Sequence, residues 1–333
     1  METVVCDFCG TSRYGTVLCC RDEESRAEYT VVRCADCGLL FLNPRPTREE
    51  IGQFYPELYF APTTPKVRSS LERKLKGFSE HVKRRIRQDF YGYPQDHPGS
   101  GWTGIRKLIL WPEKIRREWR GRQVLPWIGR GRLLDVGCGT GVDLKALQDQ
   151  GWDVHGLDLS ETAAARAREL VGNRITVGLL ETAPLERESF DVILFMHSFE
   201  HVFSPRATLE RVWELLKPGG MVVITLPNVG SLEARIFGPW WWPWELPRHL
   251  YHFDRNTLLA TLRRAKFRVT HFRTGVGQLF FMASLERFVR HRYRRPLPMR
   301  RAIEKLIARP FCLVAGHLGY GTEITVHATK EPV

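Results

Sequence analysis

One nine-residue stretch constrains this chain more than any other. Leu133-Leu134-Asp135-Val136 reads as a buried strand, and Gly137-Cys138-Gly139-Thr140-Gly141 turns it straight into a helix opening at Val142. Glycines on alternate positions let the backbone approach a ligand where a Cβ would collide, and a helix N-terminus turns unpaired N–H groups toward whatever lies there. A tight turn without a ligand makes the same demand on the backbone, so the motif needs support from elsewhere in the chain.

That support lies about 20 residues on. Val154-His155-Gly156-Leu157-Asp158-Leu159 reads as a second parallel strand ending in an acid, a position from which a carboxylate accepts both hydroxyls of a ribose. Asp135-Val136-Gly137-Cys138-Gly139-Thr140-Gly141, Asp158, Ser189-Phe190-Asp191-Val192-Ile193 and Leu216-Lys217-Pro218-Gly219-Gly220, in that order, resemble the class I S-adenosylmethionine-dependent methyltransferases over roughly residues 130 to 330. The resemblance implies S-adenosylmethionine as cofactor, with its methionine part at Asp135, Gly137, Cys138, Gly139 and Gly141 and its ribose at Asp158 and Leu159. It puts Leu180, Met196 and His197 beside the cofactor as well. Many relatives meet the adenine amino group with an acid after the third strand. Here Gly178-Leu179-Leu180-Glu181 stands at that point, leaving the role to the backbone around Leu179 and Leu180 or to Glu181.

The rest of this part alternates regularly. Strands are expected at about 132–136, 153–158, 175–178, 190–196 and 221–226, with helical stretches between, and two more at 267–274 and 323–329. This implies an α/β fold, a seven-stranded Rossmann-like sheet with helices on both faces. A basic insertion at about 276–318 interrupts it, and Arg287 to Arg309 mixes arginines with Phe288, Leu297, Met299, Ile303, Leu306 and Ile307. Such a segment packs as a helical lid on its own enzyme or lies on an anionic membrane.

Two Cys-x-x-Cys-Gly knuckles, Cys6-Asp7-Phe8-Cys9-Gly10 and Cys34-Ala35-Asp36-Cys37-Gly38, open the chain. Each offers two thiolates from one turn, and four together complete a tetrahedral, closed and therefore structural Zn²⁺ site. Disulfides or a redox dithiol are the competing readings, but the start of the chain has neither the basic residues nor the apolar run of a secretory signal, so a cytoplasmic protein is expected. The expected organisation is a small zinc ribbon over 1–46, a basic and mainly helical linker or substrate region over 47–129, and a methyltransferase domain over 130–333.

The knuckles, Asn43-Pro44-Arg45-Pro46 and Tyr55-Pro56-Glu57-Leu58-Tyr59 resemble the N-terminal part of bacterial methyltransferases acting on sugars and other natural products. In the sugar C-methyltransferases among them, tyrosines of that segment reach over the substrate, which implies Tyr55 and Tyr59; packing of the ribbon against the main domain is the alternative. His249-Leu250-Tyr251-His252-Phe253 resembles their His-Leu-x-x-Phe stretch, implying His249 as general base, His201 as its helper, and Glu245 and Arg248 for polar or anionic substrate groups. Histidine suits the task because its ordinary pKa of about 6.5 lets it take a proton at neutral pH. Pro247-Arg248-His249 replaces the family's His-Glu-His, which makes oxygen as plausible an acceptor as carbon. The dense run Trp240-Trp241-Trp242-Pro243-Trp244 is expected as a hydrophobic lid or acceptor wall.

A formal net charge of +13, from 50 Lys and Arg, points to an anionic partner. The chain is therefore read as transferring methyl groups to oxygen or carbon of a small acceptor, such as a sugar, sugar nucleotide, lipid-linked or natural-product intermediate. The alternative is an RNA methyltransferase gripping phosphates with its ribbon and basic surface. Peripheral membrane contact stays open.

Overall fold

A computed structural model describes residues 1–21, 27–55, 70–95, 103–119 and 124–331. The N-terminal part contributes β1 (Tyr14–Arg21), β2 (Glu28–Cys34) and β3 (Leu40–Leu42), then two helices, α1 (Ser70–Phe90) and α2 (Thr103–Trp119). The main domain follows as β4 (Arg132–Val136), α3 (Val142–Gln148), β5 (Asp153–Asp158), α4 (Glu161–Val171), β6 (Ile175–Val177), β7 (Phe190–Met196), α5 (Pro205–Leu215) and β8 (Leu216–Pro227). It continues through α6 (Leu232–Phe237), β9 (Tyr251–His252), α7 (Arg255–Arg264) and β10 (Phe267–Thr274) to α8 (Leu279–Tyr293), α9 (Arg300–Ile303), α10 (Arg309–His317) and β11 (Glu323–Lys330).

Seven strands form one sheet in the order β10-β11-β8-β7-β4-β5-β6, parallel except for β11, which runs antiparallel to both neighbours. The central strands carry continuous apolar runs because helices cover both faces, as Val192–Phe195 shows with every residue buried. The strand order reverses at β4 and β7, so a crevice opens beyond their carboxyl ends. Asp191 explains part of the Ser-Phe-Asp-Val motif: its buried carboxylate accepts from the Arg130 and Arg132 N–H groups and from Lys217 Nζ, tying the start of β4 to the head of β8.

The small sheet is not confined to the first 46 residues. Its order is β1-β2-β3-β9, and β9 comes from the main domain, with Leu40 opposite His252 and Phe41 opposite Tyr251. Asp7, inside the first knuckle, caps α5 by accepting from Ser204 Oγ and the Arg206 N–H. These two contacts fasten the ribbon to the main domain next to the loops expected to carry the chemistry.

The insertion folds as α8, α9 and α10, with a π-helical turn at Glu304–Ala308 joining the last two. Its inner face, including Phe281, Met282, Ala308 and Cys312, packs into one apolar cluster with Trp241, Trp244 and Phe237.

Candidate active site

Beyond β4 the chain adopts the conformations that only glycine accepts easily. Gly137, Gly139 and Gly141 have φ of 79°, 52° and 76°. They serve different ends. A Cβ on Gly137 would lie 2.6 Å from Ser198 Cβ, and one on Gly141 would lie 2.9 Å from Ala167 Cβ, so these two permit close packing of the chain on itself. At Gly139 a Cβ would meet nothing within 4 Å, because the backbone there borders open space.

That space is a cavity of about 520 Å³ bordered by Gly137, Gly139, Asp158, Leu159, Leu180 and His197, among others. Its volume suits a small ligand. Asp158 binds Gly139 N–H through Oδ2 at 2.8 Å and Ser160 N–H through Oδ1 at 2.8 Å, which locks the glycine turn to the start of α4. Asp135 lies behind the turn, 3% exposed and not on the cavity wall, and its Oδ1 has no hydrogen-bond partner among the described residues. Burial, reinforced by the charges of Asp143 and Asp158, raises its pKa to about 7. An unpartnered carboxylate beside a second buried acid creates a demand for positive charge.

The loop after β7 lines the same cavity with His197, Ser198 and His201. His197 has a φ of 55°, strained for a non-glycine residue, and lies 3.3 Å from Glu323 Oε1 and 3.8 Å from Glu200 Oε1. Burial pulls its pKa down, but the two carboxylates outweigh that and hold it near 10, so His197 is a cation at neutral pH. Glu200 is itself pushed up by burial and brought down to about 2 by the His197 cation.

His201 Nδ1 lies 3.0 Å from the Arg248 carbonyl and 3.0 Å from the Tyr55 hydroxyl. A carbonyl only accepts, so Nδ1 carries the proton and Nε2 keeps a lone pair. Burial, with a smaller contribution from His249, lowers the His201 pKa to about 4. His249 is fixed in the same tautomer by donating from Nδ1 to the Pro243 carbonyl at 2.8 Å, and its ring centre lies 4.6 Å from that of His201. It is 4% exposed and stands behind His201, not on the cavity wall. Glu200, His201 and His249 each bring one potential ligand atom within 4.8 Å of the others.

Other expected site residues fall elsewhere. Cys138 packs inward against Gly156, and Met196, at the end of β7, is not part of the cavity wall. Glu181 borders the cavity, with its carboxylate accepting from Thr208 Oγ1 at 2.6 Å. Glu245 and Arg248 pair at 2.9 Å, Arg248 reaches the Phe54 carbonyl at 3.2 Å, and Glu245 Oε2 lies 3.4 Å from His249 Nε2. Together they clamp the histidine loop to the N-terminal segment. Tyr59 lies outside the described residues. The tryptophans border no part of the cavity: Trp241 and Trp244 are core, while Trp242 and Trp240 pack on Phe280 and Phe288 of α8. Sequence reasoning missed Ser198, whose Oγ bonds the Val136 carbonyl, and Arg48 and Phe203 on the outer wall, none of which belongs to a local motif.

Cys6, Cys9, Cys34 and Cys37 converge as expected, all four as free thiols with sulfurs within 4.8 Å of one another. Cys6 and Cys37 sulfurs are 3.6 Å apart. Zn–S bonds of about 2.3 Å in a tetrahedron set S–S separations at roughly 3.8 Å, so the donor set fits zinc.

Residues 111–272 match the family model of a methyltransferase domain. A ubiquinone biosynthesis O-methyltransferase from Paraburkholderia phymatum is 35% identical over 145 residues, 40% of this chain and 62% of that protein. One from Bordetella avium is 34% identical over 161 residues, 45% of this chain and 66% of that protein. The chain therefore spans less than two thirds of either relative. Among solved structures, an S-adenosylmethionine dependent methyltransferase from Mesorhizobium loti aligns with a TM-score of 0.44 at 23% identity, covering 66% of this chain and 96% of that one. The matched domain and the two O-methyltransferase relatives indicate a class I S-adenosylmethionine-dependent methyltransferase.

Proposed function

We propose that this enzyme methylates an oxygen of a small-molecule acceptor, using S-adenosylmethionine held in the cavity beyond β4. The observation that carries the reading is that one cavity joins the glycine turn and Asp158 to His201 and Tyr55. The cofactor supplies an electrophilic methyl group on a sulfonium sulfur. Open backbone at Gly139 and the unpartnered Asp135 carboxylate fit a ligand carrying sulfonium and ammonium charges. Asp158 borders the cavity where the ribose is read to lie, while Leu180 and the backbone beside it form the wall assigned to adenine.

The remaining task is to align an acceptor hydroxyl and take its proton as the new O–C bond forms and the S–C bond breaks. His201 is assigned as proton acceptor, because it borders the cavity and is neutral well below pH 7. His249 acts behind it as a positioning residue. The two curated relatives named above are O-methyltransferases, which favours oxygen over carbon. The cysteine cluster is assigned a structural Zn²⁺ that holds the ribbon against the histidine loop.

The test is to incubate the purified full chain with S-adenosylmethionine and a panel of catechols, other phenols and nucleotide sugars. A one-methyl mass gain located on oxygen is expected for at least one class. Methyl gain on carbon or on RNA alone would overturn the assignment.

A further inference from the structure

The outer face of the helical insertion remains unexplained by anything above. Its inner side already has partners in the tryptophan cluster. Yet Tyr293, Met299, Leu306 and Ile307 point outward with exposures of 61%, 77%, 76% and 55%. Around them, residues 287 to 309 carry eight arginines and one lysine against a single acid, Glu304. Val314 and Leu318 extend the exposed apolar row along α10. At its end His317 stacks on Trp119 of α2 with ring centres 4.8 Å apart, and its Nε2 bonds the Trp119 carbonyl at 3.0 Å. The joined helix α2 exposes Leu108, Ile109 and Trp111 in turn.

We propose that this face docks on an anionic lipid bilayer. Large exposed aliphatic and aromatic side chains are costly in water and are rewarded in the boundary between headgroups and acyl chains. The arginines interspersed with them can extend to lipid phosphates while their stems lie along the apolar layer. A second copy of this chain would bring the same positive charge and be repelled. RNA would satisfy the arginines but give little return for Met299, Leu306 and Ile307. A bilayer satisfies both. None of the described helices is long and apolar enough to cross a membrane, so the contact is peripheral.

Flotation of the full chain with vesicles tests the proposal. Vesicles containing phosphatidylglycerol should carry at least ten times more protein than pure phosphatidylcholine at low salt, and less as salt rises. Replacing Met299, Leu306 and Ile307 together by serine should cut that binding at least tenfold, with S-adenosylmethionine affinity and unfolding temperature unchanged. A second variant, Arg294→Gln with Arg295→Gln, removes charge at exposed positions and should weaken binding severalfold if the first fails to fold. Equal binding to both vesicle types would overturn the proposal. So would vesicle binding that survives the serine variant and is competed by RNA, or a concentration-dependent dimer that the serine variant abolishes without any vesicle binding.

Discussion

The Tyr55 hydroxyl lies 3.0 Å from His201 Nδ1, linking the N-terminal segment to the side chain proposed as proton acceptor. Tyr55→Phe should therefore lower kcat by roughly three- to tenfold while leaving the affinity for S-adenosylmethionine unchanged, because the lost hydroxyl is the group that orients His201. His201→Ala should cost about 10²-fold or more. Steady-state kinetics at saturating cofactor separates the two effects. Equal losses for the two variants, or a change in cofactor affinity with Tyr55→Phe, would argue against the assignment.

The pH dependence follows from burial of His201. With its pKa near 4, the imidazole stays neutral as pH falls through 6, so kcat at saturating cofactor should hold level from pH 8 to about 5 and decline only as pH approaches 4. An acid limb centred near the ordinary histidine value of about 6.5 would contradict His201 as the base.

Asp135 predicts a different profile for binding. Its folded-state pKa near 7 means that the free protein holds this carboxyl protonated below pH 7. A cationic ligand favours the ionised form, so cofactor binding below pH 7 must release a proton and weakens by up to about tenfold per pH unit, levelling off above pH 7. In the unbound protein the sign is opposite to that of a salt-bridged acid. The unfolded chain ionises this group near pH 4, so it destabilises the fold progressively as pH rises from about 4 to 7. Asp135→Asn should remove both dependences, which calorimetry and thermal unfolding across pH would show.

Gly137 and Gly139 of the turn should behave unequally. At Gly137 an added Cβ meets Ser198 at 2.6 Å in a left-handed backbone, so Gly137→Ala should destabilise the fold by about 2 kcal/mol or more. At Gly139 the space is open, so Gly139→Ala should cost only the backbone strain of about 1 kcal/mol yet weaken cofactor binding at least tenfold. Chemical denaturation beside calorimetry distinguishes the two.

The fold of the main domain was legible because each signal was local. Apolar runs set the strands, the glycine turn set the crevice, and two cysteine knuckles at matching spacing set the ribbon. The order of the histidines was not legible. Whether His201 or His249 borders the cavity depends on β9 pairing with β3 across about two hundred residues of sequence, a contact that no local pattern reports. The tryptophans misled for a similar reason: a dense aromatic run reads alike whether it walls a pocket or seats a helix, and here it seats α8.

Zinc removal tests the consequence of that pairing. One equivalent per chain is expected, and stripping it with a chelator should lower the unfolding temperature and suppress methyl transfer. Cofactor affinity should stay within about threefold, since ribbon and glycine turn are separate. Cys34→Ser should reproduce the result. A second tightly held equivalent would place metal at Glu200, His201 and His249 and contradict their assignment to proton transfer.

Calorimetric titration of the purified full chain with S-adenosylmethionine, for the wild type and for Asp158→Ala, tests the central claim most directly. The prediction is one site per chain with micromolar affinity, weakened at least tenfold in a folded Asp158→Ala variant. A folded wild-type chain that shows no binding, or a variant that binds as tightly as the wild type, would contradict the cofactor site described for this cavity.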